Sequence, residues 1–142
     1  MNTSQTIAYW FYENSKTSQT RPVVSLVNDS ENASTQAGFK GSKAGVWQNP
    51  GSWLTPCSQP SPKTWHHYAY TYDGQTHVFY IDGKQVSSST IAPSAAATNR
   101  LLIGKMIGAS DFLMGILDEL RIYNRALSQA EVTTLMTLAV GN

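Results

Sequence analysis

Charge is scarce in this chain. Asp, Glu, Lys and Arg make up 13% of its 142 residues, about half the share of an average globular domain. Ten cations and nine anions leave a formal net charge of +1, and no stretch gathers the cations into a cluster. Phosphate backbones are recognised by clustered Lys and Arg, so nucleic acid is not an expected partner. The surface must instead rest on Ser, Thr, Asn and Gln. Such a surface suits an extracellular protein or a rigid assembly.

Cysteine is scarcer still. Cys57 stands alone, so no internal disulfide can form, and it reads as a buried or half-buried thiol. No run of about 18 apolar residues exists, so nothing is expected to insert into a membrane. Met1-Asn-Thr-Ser-Gln lacks the basic start and apolar centre of a secretion signal. Export would then use a leader removed upstream, another route, or carriage within a larger particle. Zinc-ligand spacing and a glycine-rich phosphate loop are also missing. Asn2-Thr-Ser, Asn28-Asp-Ser and Asn32-Ala-Ser fit the glycan-acceptor pattern, but a Ser/Thr-rich chain produces such triplets by chance.

What the chain does have is 41% apolar residues, enough for one core in a single domain, 1–142. A chain this long buries about two-thirds of its unfolded surface, so it needs no staples. Strand signals dominate. Segment 6–12 is apolar and aromatic, and 22–27 is β-branched. Segment 43–48 is weaker and runs into Asn49-Pro-Gly, a turn signal. Segment 65–72 is the clearest strand, with Tyr68, Tyr70 and Tyr72 alternating onto one face. Asp73-Gly74 and Asp82-Gly83 are turn dipeptides on either side of 77–81, and 85–90 continues the second hairpin. Segments 100–103 and 114–123 complete the set, and 92–99 reads as a loop. Near the end, Ser128-Gln-Ala-Glu131 forms a capping box. Val132, Leu135 and Met136 follow at helical spacing, and Gly141 is a plausible stop. Strands at this spacing indicate a sandwich or barrel.

Three ordered stretches resemble the laminin-G-like family of concanavalin A-like jelly rolls. They are Ile7-Ala-Tyr-Trp10; Trp65-His-His-Tyr-Ala-Tyr-Thr-Tyr-Asp-Gly74 with Phe79-Tyr-Ile-Asp-Gly-Lys-Gln-Val86; and Leu102-Ile-Gly104 leading to Gly115-Ile-Leu-Asp-Glu-Leu-Arg-Ile-Tyr-Asn-Arg-Ala-Leu-Ser128. The resemblance implies an all-β fold: an antiparallel two-sheet jelly-roll sandwich with one short C-terminal helix. It also implies that Trp10 and Trp65 occupy core positions. Relatives have one more strand before the Ile7 segment, where only six residues precede it here. A missing strand would leave its neighbour with an open edge, available to a segment of another chain or to self-association.

Catalysis is not expected. Jelly-roll glucanases place acidic residues at alternate strand positions, so that two carboxylates face one cleft. Asp118 and Glu119 are adjacent and should face opposite ways, Glu119 with Arg121 and Asp118 with Leu120. His66 and His67 are adjacent in the same manner. Relatives often bind calcium at the sandwich rim, which makes Asp29 and Asp118 the calcium candidates, with Glu31 and Asp111 behind them. Against calcium, Asp118 is expected to pair with Arg121 or Arg125. Segment 47–62 differs in kind, with Pro50, Pro56, Pro60 and Pro62 among serines, and reads as a long structured loop. Trp47, Gln48, Asn49 and Trp53 would form an aromatic-plus-amide pocket for a glycan there if exposed, or an anchor for the loop if buried. The expected role is an extracellular or surface-displayed recognition module that binds carbohydrate or protein through rim loops. Its rival is a structural or adhesive block of a cell surface or virion.

Overall fold

The computed structural model describes residues 4–16, 19–28, 33–48, 52–54, 56–92, 98–105 and 112–138. Its strands are β1 (Gln5–Glu13), β2 (Thr20–Val27), β3 (Ala33–Lys40), β4 (Lys43–Gln48), β5 (Ser52–Trp53), β6 (Cys57–Ser58), β7 (Trp65–Tyr72), β8 (His77–Ile81), β9 (Lys84–Ser89), β10 (Arg100–Ile103) and β11 (Gly115–Tyr123). One helix, α1 (Gln129–Leu138), follows. The strands make two antiparallel sheets. Sheet A has the order β11-β1-β7-β8-β9, and sheet B the order β10-β2-β3-β4-β5, with β6 also paired to β4. This is the expected all-β sandwich with a short C-terminal helix.

The core lies between the sheets and follows the period-2 alternation of their strands. Sheet A contributes Ile7, Tyr9, Phe11, Tyr68, Tyr70, Tyr72 and Phe79; sheet B contributes Val23, Val24, Ala37, Phe39, Ala44 and Val46. Phe39 bridges the layers, with its ring 5.5 Å from both Phe11 and Tyr68. Edge-to-face and offset aromatic pairs of this kind add about 1 kcal/mol each beyond the area they bury. The alternating tyrosines of β7 therefore do face one way, into the core.

Two hairpins carry their turn chemistry visibly. Asp73 accepts hydrogen bonds from the Gln75 and Thr76 amides at 2.8 and 2.7 Å, an Asx turn. Those bonds hold its carboxyl below the usual range. Asp82 and Gly83 both have positive φ, 51° and 74°, the backbone of a tight I′ hairpin. Just after the first turn, His77 is fully buried. Its ring stacks on Tyr72 at 4.2 Å and on Tyr70 at 5.9 Å. Its Nε2 meets the Ile91 carbonyl at 2.8 Å, and its Nδ1 meets the Tyr70 hydroxyl at 2.7 Å. A carbonyl only accepts, so Nε2 carries the proton and Nδ1 accepts from Tyr70. Burial lowers the pKa of His77 and keeps it neutral.

The capping box forms as read. The Ser128 hydroxyl accepts from the Glu131 amide at 3.3 Å, and the Glu131 carboxylate accepts from the Ser128 amide at 2.8 Å. Arg125 adds a salt bridge to Glu131 at 2.7 Å, and the carboxyl of Glu131 falls to about 2, with that bond as the largest cause. The helix lies on the outer face of sheet A, where Val132, Leu135 and Leu127 pack with Ala8, Ala69 and Tyr80. Gly83 lies beneath it, and a Cβ there would meet the Met136 sulfur at 3.0 Å and the Thr133 hydroxyl at 3.1 Å.

Several sequence expectations are corrected. Trp10 and Trp65 are not in the inter-sheet core. They alternate onto the outer face of sheet A, because Ile7, Tyr9 and Phe11 take the inner one. Trp10 is half-buried against His67 at 5.4 Å; Trp65 is 40% exposed beside Tyr12. β1 itself is an inner strand, flanked by β11 and β7. The edges of the described sheets are β11 and β9 in sheet A, and β10 and the short pair β5 and β6 in sheet B. Alternation also fails in β11. Glu119 has φ 50° and the register jumps from Ala8↔Arg121 to Trp10↔Asp118, the mark of a β-bulge with one extra residue. Leu117 and Leu120 therefore both pack on the core, and Asp118 does not share a face with Leu120. Nor does Asp118 pair with an arginine: Arg121 bonds Glu119 at 2.7 Å, and Arg125 bonds Glu131.

Candidate binding face on sheet B

The hairpin of β3 and β4 builds the site. Register pairs Gln36 with Trp47, Gly38 with Gly45 and Lys40 with Lys43. Ala37, Phe39, Ala44 and Val46 enter the core, so these three pairs face outward. Trp53 on β5 lies directly opposite Trp47, which puts both indoles on the same outer face. Both are half-buried. They stand beside the paired glycines, which leave the floor without side chains.

The glycine at 38 is compelled by its neighbour strand. Pro22 lacks an amide hydrogen and is tolerated inside β2 only at an irregularity, and the β2–β3 register shifts between Pro22 and Val24. That shift presses the β2 backbone onto β3. A Cβ on Gly38 would lie 2.5 Å from the Arg21 carbonyl oxygen and 2.7 Å from the Pro22 Cα. The result is a small dimple of about 10 Å³ lined by Thr20, Pro22, Gln36, Gly38, Trp47 and Trp53. It opens beside a larger groove of about 450 Å³, which Trp53 shares with Lys40, Gly41, Ser42, Lys43 and Pro56.

A buried ion pair fixes the end of this groove. Arg21 and Glu13 bond to one another, their side chains 2% and 5% exposed, and Gln59 also donates to Glu13. Arg21 further donates to the carbonyls of Ser15 at 3.4 Å and Gly41 at 3.3 Å, and its guanidinium lies 5.4 Å from the Phe39 ring centroid. The β3–β4 turn is thus tied to both the β1–β2 connection and β1. Nearby, Cys57 donates to the Ala44 carbonyl at 3.3 Å, and burial pushes its thiol up to about 11. At neutral pH it is a protonated, unreactive packing group.

The structure brings together only part of the pocket read from sequence. Trp47 and Trp53 meet. Gln48 turns into the interior, 6% exposed, where its amide donates to the Thr35 hydroxyl at 3.2 Å. The cause is alternation: Trp47 faces out, so its neighbour faces in. Asn49 lies outside the described residues, as do Asp29, Glu31 and Asp111. Segment 47–62 is not one loop, since β5 and β6 pair back onto β4 at Gln48↔Ser52 and Ala44↔Cys57. The site residues missed from sequence are Gln36, Gly38 and Lys40 with their partners Gly45 and Lys43. The signal was present: Lys40-Gly41-Ser42-Lys43 is a two-residue hairpin with a glycine at its first central position.

Carboxylates elsewhere are engaged singly. Asp82 bonds the His66 ring at 2.8 Å and the His67 amide at 2.9 Å. Asp118 accepts from the Glu119 amide at 2.8 Å, across from Trp10. Asp118 therefore caps the β11 bulge. Among the described residues no group of three or more His, Cys, Asp and Glu could hold a metal ion, and no helix is long and apolar enough to cross a membrane.

A jelly-roll sandwich with an aromatic outer face defines a lectin-like class, and the comparisons agree. The family model of the concanavalin A-like lectin/glucanases superfamily matches residues 1–133. The chain belongs to that superfamily. No curated protein matches at a significant level. Among solved structures, it is similar to domain 4 of an extracellular GH43 arabinanase from Geobacillus stearothermophilus, in complex with arabinotriose. That match has 21% identity and a TM-score of 0.73, covering 94% of this chain and 66% of that one. It is also similar to the binding domain of a paraclostridial mosquitocidal protein, at 20% identity and TM-score 0.72, covering 94% of this chain and 36% of that one. A Trypanosoma rangeli sialidase variant displaying trans-sialidase activity matches at 16% and 0.74, covering 96% of this chain and 23% of that one. The chain thus spans less than two thirds of these proteins. At such identities the likeness concerns the fold.

Proposed function

We propose that this domain is a non-catalytic carbohydrate-binding module, displayed outside the cell or on a particle surface, whose sugar site is the outer face of sheet B. The observation that carries the reading is the cross-strand pair Trp47 and Trp53 beside the Gly38–Gly45 floor. Sugar rings present C–H patches that stack on aromatic faces. A flat floor lets a chain of sugars lie along such a face. Two of the similar structures point the same way by their names, the arabinanase domain in complex with arabinotriose and the toxin's binding domain. The non-catalytic part rests on the described carboxylates, each held by its own arginine, histidine or turn amide.

Tryptophan fluorescence against a glycan panel tests the reading. A ligand should shift the emission of the parent protein, and Trp53→Ala should weaken binding by about tenfold or more, the equivalent of roughly 1.4 kcal/mol. If no glycan perturbs the parent spectrum, the reading fails.

A second reading is a structural or adhesive block. It is favoured by the edge strands β10 and β11, where Leu101, Ile103, Ile116 and Ile122 are 43–54% exposed. Apolar residues on an unpaired edge suit strand pairing with another chain. Light scattering decides: association that Ile103→Lys removes supports it, and a strict monomer at high concentration sinks it.

A further inference from the structure

Lys40 and Lys43 pose a problem that the Trp pair alone does not answer. They are directly opposite one another on the β3–β4 hairpin, both exposed. Like charges in that relation repel and destabilise a sheet. Neither has an ion pair among the described residues. The charge is also local, because the whole chain carries only +1. At this turn the one buried carboxylate, Glu13, is already neutralised by Arg21. Lys16 approaches as well, its ammonium donating to the Gln59 carbonyl at 3.2 Å, while the Gln59 amide donates to the Ser42 carbonyl at 2.9 Å. Three lysines thus surround a turn whose carboxylate is spent. The two opposed lysines line the same groove of about 450 Å³ as Trp53 and Pro56.

We propose that this groove binds an anionic glycan, one whose sugar ring stacks on Trp53 while its carboxylate or sulfate lies between Lys40 and Lys43. The inference rests on the carbohydrate reading above and narrows it to a substrate class. An anion between the lysines converts their repulsion into two charge-assisted contacts. Trp53 supplies the apolar face that a bare anion would not use. Neutral glycans gain only the second interaction.

The test is calorimetry and tryptophan fluorescence on the full chain. The probes are oligogalacturonate, a sulfated dextran oligomer, neutral arabino-oligosaccharide and oligoglutamate. In the parent, an anionic glycan should bind about tenfold more tightly than the neutral one, and the advantage should shrink as salt rises toward about 0.5 M. The uronate and sulfate arms identify the anion. In Lys40→Gln/Lys43→Gln the ratio of anionic to neutral affinity should fall about tenfold. The melting temperature of that variant should equal or exceed the parent's, because a repulsion has been removed. A double variant that keeps the anionic preference overturns the proposal, as does oligoglutamate binding as tightly as the glycans. Equal affinity for neutral and anionic glycans sinks this inference and leaves the carbohydrate reading standing. Silence from every glycan sinks both.

Discussion

The two outer faces of the sandwich use one device for opposite ends. Each clears room with small residues at facing positions. On sheet A the pair Ala8 and Ala69 lies under the chain's own C-terminal segment, which fills the space with Leu127 and the helix residues Val132 and Leu135. On sheet B the pair Gly38 and Gly45 has no helix among the described residues over it; tryptophans and lysines stand around it instead. The closed face is sealed by hydrogen bonds as well as packing. The Thr6 hydroxyl donates to the Arg125 carbonyl at 2.8 Å and accepts from the Leu127 amide at 2.9 Å. The difference teaches that small residues on an outer face mark an approach. Whether the chain supplies its own occupant decides between architecture and recognition.

Filling the open face should have the largest effect. Gly38→Val places branched carbons against the Arg21 and Pro22 backbone, where even a Cβ comes to 2.5 Å. Overpacking against backbone should cost about 4 kcal/mol, measured as a shift of the denaturant midpoint. Gly45→Ala adds one methyl to the opposite side of the floor and should also lose stability, because Gly45 holds φ 150°, a backbone that L side chains rarely adopt. Equal and negligible losses would show that the floor is not pressed by β2.

The closed face should respond to acid. His67 is 3% exposed next to Trp10. Burial lowers its pKa from 6.5 to about 4, with Asp82 opposing and Arg121 assisting. The folded protein therefore resists protonation that the unfolded chain accepts. Stability from this group is complete above pH 6.5 and is lost as pH falls from there toward about 4, up to roughly 3 kcal/mol in all. Urea melts across that window check it, with His67→Gln expected to flatten the dependence. A slope unchanged in the variant would assign the acid sensitivity elsewhere.

Loosening the helix should have the smallest effect. Ser128→Ala removes the cap on the Glu131 amide and should cost about 1 kcal/mol. It should leave glycan affinity on the far face unaltered. A change in that affinity would show that the two faces are coupled through the core.

Most of the fold was legible because its strands alternate strongly. The tyrosines of β7, the Asp-Gly turns and the capping box each specify local structure by themselves. β3 was missed for a physical reason. Its inward residues, Thr35, Ala37 and Phe39, include only one large apolar side chain, and it contains a glycine. Its extended form comes from bonding to β2 and β4 on both sides, which no local pattern records. The same omission hid the site, since half of the binding face stands on β3. Trp47 and Trp53 were legible as a pair because aromatic residues around a turn tend to meet. Gln48 adjoins them in sequence, but alternation sends it inward. The bulge at Glu119 was equally hidden: a single residue with positive φ shifts every later side chain of β11.

The Tyr72–His77–Tyr70 stack gives the molecule an internal spectroscopic marker. The imidazole proton on Nε2 points at the Ile91 carbonyl, so it exchanges with solvent only when the segment after β9 lifts away. In a proton NMR spectrum it should stand as a slowly exchanging resonance, displaced by the ring currents of two tyrosines. Its lifetime then clocks how often that margin of sheet A opens, independently of any ligand on the opposite face.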